Sequence, residues 1–169
     1  MGKLSAVTLA LLQTQYRHET CNSLRYFARS SWARFRGLES IADFLNTEAT
    51  GERKHAVIVQ KIIEDRNEAV VPEPMLYDEP SEWSDIGMLF GTAMAVELTT
   101  TSMLNDIYLS AQKEGDVQLM IAISELCLEQ VEEENIYQTI LDRIATRGTD
   151  DGTVHDIDVW IGEQYGERK

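Results

Sequence analysis

Glu52 and His55 stand three residues apart, in Glu52-Arg53-Lys54-His55. On a helix this spacing puts both side chains on one face, where a carboxylate and an imidazole reach one metal ion. An ExxH pair alone is a weak pattern, but it gains force from three other segments. Read at alternating steps of three and four, Leu12, Gln15, Glu19, Asn22, Tyr26 form one line, and Ile41, Leu45, Glu48, Glu52, His55, Val59, Ile62 a second. Ile86, Phe90, Ala93, Glu97, Thr101, Leu104, Tyr108 form a third, and Leu119, Ile123, Leu126, Gln130, Glu133, Tyr137, Ile140, Ile144 a fourth. Each line is apolar towards its ends and carries glutamate near its middle. An ionised carboxylate in a dry core costs several kcal/mol unless compensated. No Lys or Arg is expected on these lines near mid-length, Arg25 and Arg29 lying off the first line or beyond its polar centre. The compensating charge must come from elsewhere, and two divalent cations balance four carboxylates. Oxygen ligands with one imidazole suit Fe(II), with Mn and Zn as competitors.

Helices have to bring these lines together. The three prolines, Pro72, Pro74 and Pro80, all fall between Val70 and Ser84. A proline inside a helix costs roughly 3 kcal/mol, so this stretch is a break. Gly37 and Gly115 interrupt the two halves, and Gly148 to Gly152 (GTDDG) reads as a turn. The expected helices span about 4–35, 38–67, 83–113 and 116–146, with a short tail helix near 154–165. Short loops make the first two helices antiparallel, and likewise the last two. The long middle segment returns along the bundle. The expectation is an all-α, single-domain four-helix bundle over residues 1–169 with one long crossover and a short fifth C-terminal helix.

Composition narrows the possible partners. A formal net charge of -14 argues against nucleic-acid binding, which needs a basic face, and favours attraction of cations. No apolar run approaches the roughly 20 residues of a membrane span. The first residues read as helix and not as a signal peptide. Ala6 stands where a myristoylation motif needs Ser or Thr. Cys21 and Cys127 form no CxxC and fit a reduced cytoplasmic setting as packing residues. His18 and His155 have no comparable partners and read as surface or capping residues. In the run Glu132-Glu133-Glu134 only Glu133 falls on the line. Tyr26, Trp32 and Tyr137 read as core aromatics.

Taken together, these residues resemble the ferritins. His18-Glu19-Thr20-Cys21-Asn22-Ser23-Leu24-Arg25-Tyr26 through Trp32, Gly37-Leu38, Phe44-Leu45, Glu48-Ala49, Glu52 and His55-Ala56 are similar to their first two helices. Phe90 with Glu97, and Glu129-Gln130-Val131-Glu132-Glu133-Glu134, are similar to the third and fourth. The resemblance implies a ferritin-like fold and a ferroxidase centre holding two irons per subunit. Glu19, Glu52 and His55 match the ligands of the first iron. Glu52 bridges to the second, which Glu97 and, in bacterial non-haem ferritins, Glu133 also bind. Gln130 matches the glutamine that hydrogen-bonds in the site, and Tyr26 the neighbouring tyrosine, an electron donor to oxygen. The implied activity is oxidation of Fe(II) to Fe(III) by O2 or H2O2, with ferric mineral stored in a cytoplasmic shell of 24 identical subunits. The alternative is a di-iron oxidase or peroxidase of the same superfamily that stores nothing.

Departures from the pattern shape the expectation further. Bacterioferritins carry a second ExxH in the fourth helix and a methionine haem ligand after the bridging glutamate. This chain has Gln130-Val131-Glu132-Glu133 and Arg53 there, so no haem is expected. A third iron position in bacterial ferritins has fourth-helix carboxylates that match Glu129 and Glu132, but its second-helix carboxylate position is Gly51. The acidic pore residues of animal ferritins fall at Met120 and Ile123, so iron is expected to enter by another route.

Overall fold

The computed structural model of the 169-residue chain describes residues 3–71, 80 and 82–166. Pro72 and Pro74 lie outside the described residues. Five helices follow in order: α1 (Ala6–Phe35), α2 (Glu39–Glu64), α3 (Ile86–Glu114), α4 (Val117–Arg147) and α5 (Asp151–Tyr165). Among the described residues there is no strand.

Each boundary has a local cause. Ser5, Asp85, Asp116 and Asp150 cap α1, α3, α4 and α5, each accepting a backbone N–H three residues on. The Asp85 cap starts α3 later than proline counting suggested. Gly115 ends α3 in the left-handed region at φ 69°, which glycine adopts without steric cost. Asn67, with φ 60°, turns the chain after α2, so that helix stops at Glu64 and short of the expected end. The expected turn at Gly148 to Gly152 is only partly a turn. Asp150 accepts from Thr153 N at 3.2 Å and from Thr153 Oγ1 at 2.7 Å, and this draws Asp151 and Gly152 into the first turn of α5.

Contacts between helix ends establish the topology. The start of α1 meets the end of α3, where Thr8 Oγ1 donates to Glu114 Oε1 at 2.7 Å. The end of α2 meets the start of α4 through a two-pronged bridge from Arg66 to Asp116, at 2.6 and 2.7 Å. Trp32, late in α1, packs edge-on against Trp83 just before α3, with ring centroids 6.0 Å apart. Therefore α1 and α3 run antiparallel, α2 and α3 run parallel, and α3 starts at the end of the bundle opposite to that where α2 stops. The start of the segment between α2 and α3 is held on α1, where Gln13 donates to Ala69 O at 2.7 Å and accepts from Val71 N at 3.0 Å.

The interior is layered. One apolar cluster includes Tyr26, Trp32, Ile41, Leu45, Phe90, Tyr137 and Ile140, and α5 closes it with Ile157 and Ile161. The other includes Leu12, Val59, Ile63, Leu104, Ile107, Ile123 and Leu126. Between them lies a buried polar layer: Gln15, Glu19, Asn22, Glu52, Glu97, Thr100 and Gln130. The first and fourth lines are buried as the spacing predicts, apart from half-buried Glu133. The other two hold in part: Val59 and Leu104 are buried as expected, but Glu48 is half-buried beside buried Ala49. Ala56 and Ile63 are buried where His55 and Ile62 were expected to be, and Thr100 and Ile107 take the places of Thr101 and Tyr108. Steps of three and four can be ordered either way along a helix, and packing selects the order.

Candidate metal centre

Four helices supply the polar layer, each at a buried position between the two apolar clusters. Glu19 on α1 is 1% exposed, Glu52 on α2 6%, Glu97 on α3 2% and Gln130 on α4 3%. One ligand atom each from Glu19, Glu52 and His55 lies within 4.8 Å of the other two. Among the described residues this is the group of three metal-ligating side chains so placed. Glu97 and Glu133 fall outside the trio.

Hydrogen bonds fix one oxygen of Glu19 and both of Glu97. Gln15 Nε2 donates to Glu19 Oε1 at 2.5 Å. The Tyr26 hydroxyl donates to Glu97 Oε1. Gln130 Nε2 donates to Glu97 Oε2 at 3.0 Å and to the Glu97 carbonyl at 3.3 Å. His55 Nδ1 lies 3.9 Å from Glu52 Oε2, and its Nε2 lies 2.9 Å from Glu129 Oε2. Glu19 Oε2 and Glu52 Oε2 are buried with no hydrogen-bond donor.

The electrostatics follow from this crowding. Burial, reinforced by Glu52, holds the Glu19 carboxyl well above the usual carboxylate range. Burial raises Glu52 to about 8, with Glu97, Glu48 and Glu133 adding repulsion. Burial also raises Glu97 to about 7, although the bonds from Tyr26 and Gln130 pull the other way. Burial and the charge of Glu97 push the Tyr26 phenol well up. At neutral pH the site holds protons that a divalent cation can displace, since ligating carboxylates must be deprotonated.

A cleft of about 540 Å³ opens between α2 and α4 and reaches Glu52 and His55 from solvent. Glu48, Gly51, Glu129 and Glu133 line it. Its acidic wall attracts cations, in keeping with the chain's overall charge.

The sequence profile of the ferritin-like domain matches residues 9–146. The chain belongs to the ferritin family. It is 28% identical over 156 residues to a bacterial non-heme ferritin of Staphylococcus haemolyticus, covering 90% of this chain and 91% of that protein. It is 26% identical over 161 residues to a probable bacterial non-heme ferritin-like protein of Haemophilus influenzae, covering 94% of this chain and 96% of the other. An open pore ferritin from the archaeon Archaeoglobus fulgidus superposes with a TM-score of 0.88 at 21% identity, covering 94% of this chain and 98% of that one. Ferritins as a family bind and store iron and generally have ferroxidase activity.

Within this ferritin fold, Glu19, Glu52 and His55 lie together and Gln130 pairs with Glu97. Tyr26 lies against Glu97 and stacks on Tyr137 with centroids 6.2 Å apart. His55 and Glu133 are half-buried cleft residues, not core residues. Glu129 and Glu132 are both exposed, and Glu129 is hydrogen-bonded to His55.

One expectation needs correction, for His18, and two residues add to the picture, Arg29 and Gln15. Arg29 is fully buried, with its guanidinium carbon 5.1 Å from the Tyr26 ring centroid. It extends the first line by the step Tyr26 to Arg29, about two turns past Asn22 and so beyond the polar centre, as expected, but it is buried there. His18 is neither a surface nor a capping residue: it is half-buried, and its Nε2 lies 2.8 Å from Thr100 Oγ1. Gln15, although on the first line, was given no role, yet it orients Glu19. Its signal was an amide at a core position four residues before a core carboxylate.

Proposed function

We propose that this ferritin-family protein is a cytoplasmic ferroxidase that stores iron in a shell of identical subunits, 24 by family resemblance. The observation that carries this reading is the trio of buried Glu19 and Glu52 with half-buried His55, in which two buried carboxylate oxygens have no hydrogen-bond donor. Four helices converge on the place where that deficit of positive charge is greatest. Fe(II) is the substrate. It enters by the acidic cleft between α2 and α4 and displaces the carboxyl protons.

Glu19, Glu52 and His55 would hold one Fe(II). Glu52, Glu97 and Glu133 would hold a second, with Gln130 orienting Glu97. Each iron gives up one electron. O2 takes two electrons and two protons to become H2O2, or H2O2 takes two electrons and two protons to become water. The carboxylates stabilise the extra positive charge of Fe(III), which is the electrostatic part of the catalysis. Where only one Fe(II) is bound, Tyr26, hydrogen-bonded to Glu97, would supply the second electron and release its phenolic proton, leaving a tyrosyl radical. Exposed apolar side chains, including Phe27 at 61%, Phe35 at 89% and Leu128 at 69%, favour association with further copies.

The test is anaerobic Fe(II) loading followed by exposure to O2, with absorbance of ferric products recorded for the parent and for Glu52→Ala. The parent should oxidise two Fe(II) per chain rapidly, and the variant at least about 100-fold more slowly. Equal rates would overturn the site. Size-exclusion chromatography separates storage from the storage-free di-iron oxidase: a particle near the mass of one chain favours the latter.

A further inference from the structure

We infer that Glu129 is a positioning residue: it grips the His55 imidazole through Nε2 and thereby aims Nδ1 at the two buried carboxylates. This rests on the reading of Glu19, Glu52 and His55 as an iron site. His55 is the least enclosed of the three, since it stands on the wall of an open cleft. Neighbouring backbone alone does not determine which ring nitrogen faces inwards. The partner that does lies on the opposite helix. Glu129 Oε2 on α4 is 2.9 Å from His55 Nε2 on α2, while Nδ1 lies 3.9 Å from Glu52 Oε2.

A carboxylate accepts hydrogen bonds and does not donate them, so the gripped Nε2 carries the hydrogen. In the neutral ring Nδ1 then keeps its lone pair, 3.9 Å from Glu52 Oε2. Histidine ligands generally need such an outer partner, which sets tautomer and ring orientation and is worth roughly 10–100-fold in metal affinity. The bond also ties α4 to α2 across the cleft, where the two helices otherwise touch little.

The same geometry gives Glu129 a role other than the third-iron ligand that the family resemblance suggested. Gly51, which lines the same cleft, has no side chain to share a metal with Glu129, and a Cβ built there would meet nothing within 4 Å. Glu129 turns instead to His55.

The test uses Glu129→Ala and Glu129→Gln; the glutamine keeps an acceptor oxygen but loses the charge. Solid-state 15N NMR of the histidine-labelled, metal-free protein, assigned with His55→Asn, reads the His55 tautomer without any metal. Co(II) titration followed by visible absorption reads affinity and ligand field. The parent should show a single Nε2–H tautomer. Glu129→Ala should show mixed tautomers and about 10–100-fold weaker Co(II) binding with an altered spectrum. Glu129→Gln should restore the tautomer and most of the affinity. An unchanged His55 tautomer and Co(II) affinity in Glu129→Ala would overturn the inference. So would the loss of one whole Co(II) equivalent in both variants with the remaining sites unaltered, because Glu129 would then be a ligand itself. If His55→Asn binds Co(II) as the parent does, the iron-site reading fails, and the metal-free tautomer measurement still decides whether Glu129 orients His55.

Discussion

Asp158 of α5 accepts the backbone N–H of Ile41, 2.8 Å away, at the start of α2. Leu38, the residue at the N-cap of α2, has no side-chain cap of its own. A buried carboxylate from the far end of the chain therefore does what Ser, Thr, Asp or Asn does locally at the other four helices. Around this bond, Ile157 and Ile161 are fully buried, and Gly162 passes so close to Ser40 that an added Cβ would lie 2.7 Å from its Oγ.

Asp158→Ala should therefore destabilise the fold by about 1–2 kcal/mol through the lost cap and loosen α5. Asp158→Asn, which retains an acceptor oxygen, should cost less. Urea denaturation measures the stability, and amide exchange over 151–165 measures the loosening. Equal exchange in Asp158→Ala and the parent would mean that the apolar contacts alone seat α5.

The stability of the metal-free protein should fall as pH rises from about 5 to about 8. Glu52 at about 8 and Glu97 at about 7 keep protons in the folded state that the unfolded chain releases near its ordinary carboxylate range. Between those limits the folded state binds more protons, so each step up in pH favours unfolding. Above the raised values this contribution is fully lost. Iron or Co(II) binding should release protons near neutral pH and tighten as pH rises. Denaturant midpoints across this range, with a pH-stat during metal addition, check both. A flat profile with no proton release would contradict the raised carboxyls.

Glu52→Gln separates stability from function at one atom. The amide is nearly isosteric and carries no charge, so it removes the desolvation cost that the carboxylate bears once ionised. At pH 9 the metal-free variant should be more stable than the parent by on the order of 1–3 kcal/mol, and near pH 5 the two should match. It should also lose most of its metal binding. Denaturation at both pH values with metal analysis by mass spectrometry tests this. A variant less stable than the parent at pH 9 would show that Glu52 is already compensated within the protein.

Much of the fold and centre was legible in the chain, and for local reasons. Helix lengths, the break before α3 and the lines of apolar residues with a polar middle depend on backbone propensity and spacing within one helix. Glu19, Glu52, Glu97 and Gln130 could therefore be named from the sequence, each being at once polar and on a buried line. Tertiary packing decided what depends on a neighbouring helix. It buried Arg29 beside Tyr26, turned His55 to the cleft wall within reach of Glu129, and set Asp158 at the head of α2. The last two pair an atom on one helix with an atom on another, 74 and 117 residues apart, and the rotation of a helix about its own axis sets whether they meet. Spacing along a helix selects a face only to within a residue, whereas a hydrogen bond requires a fraction of an ångström.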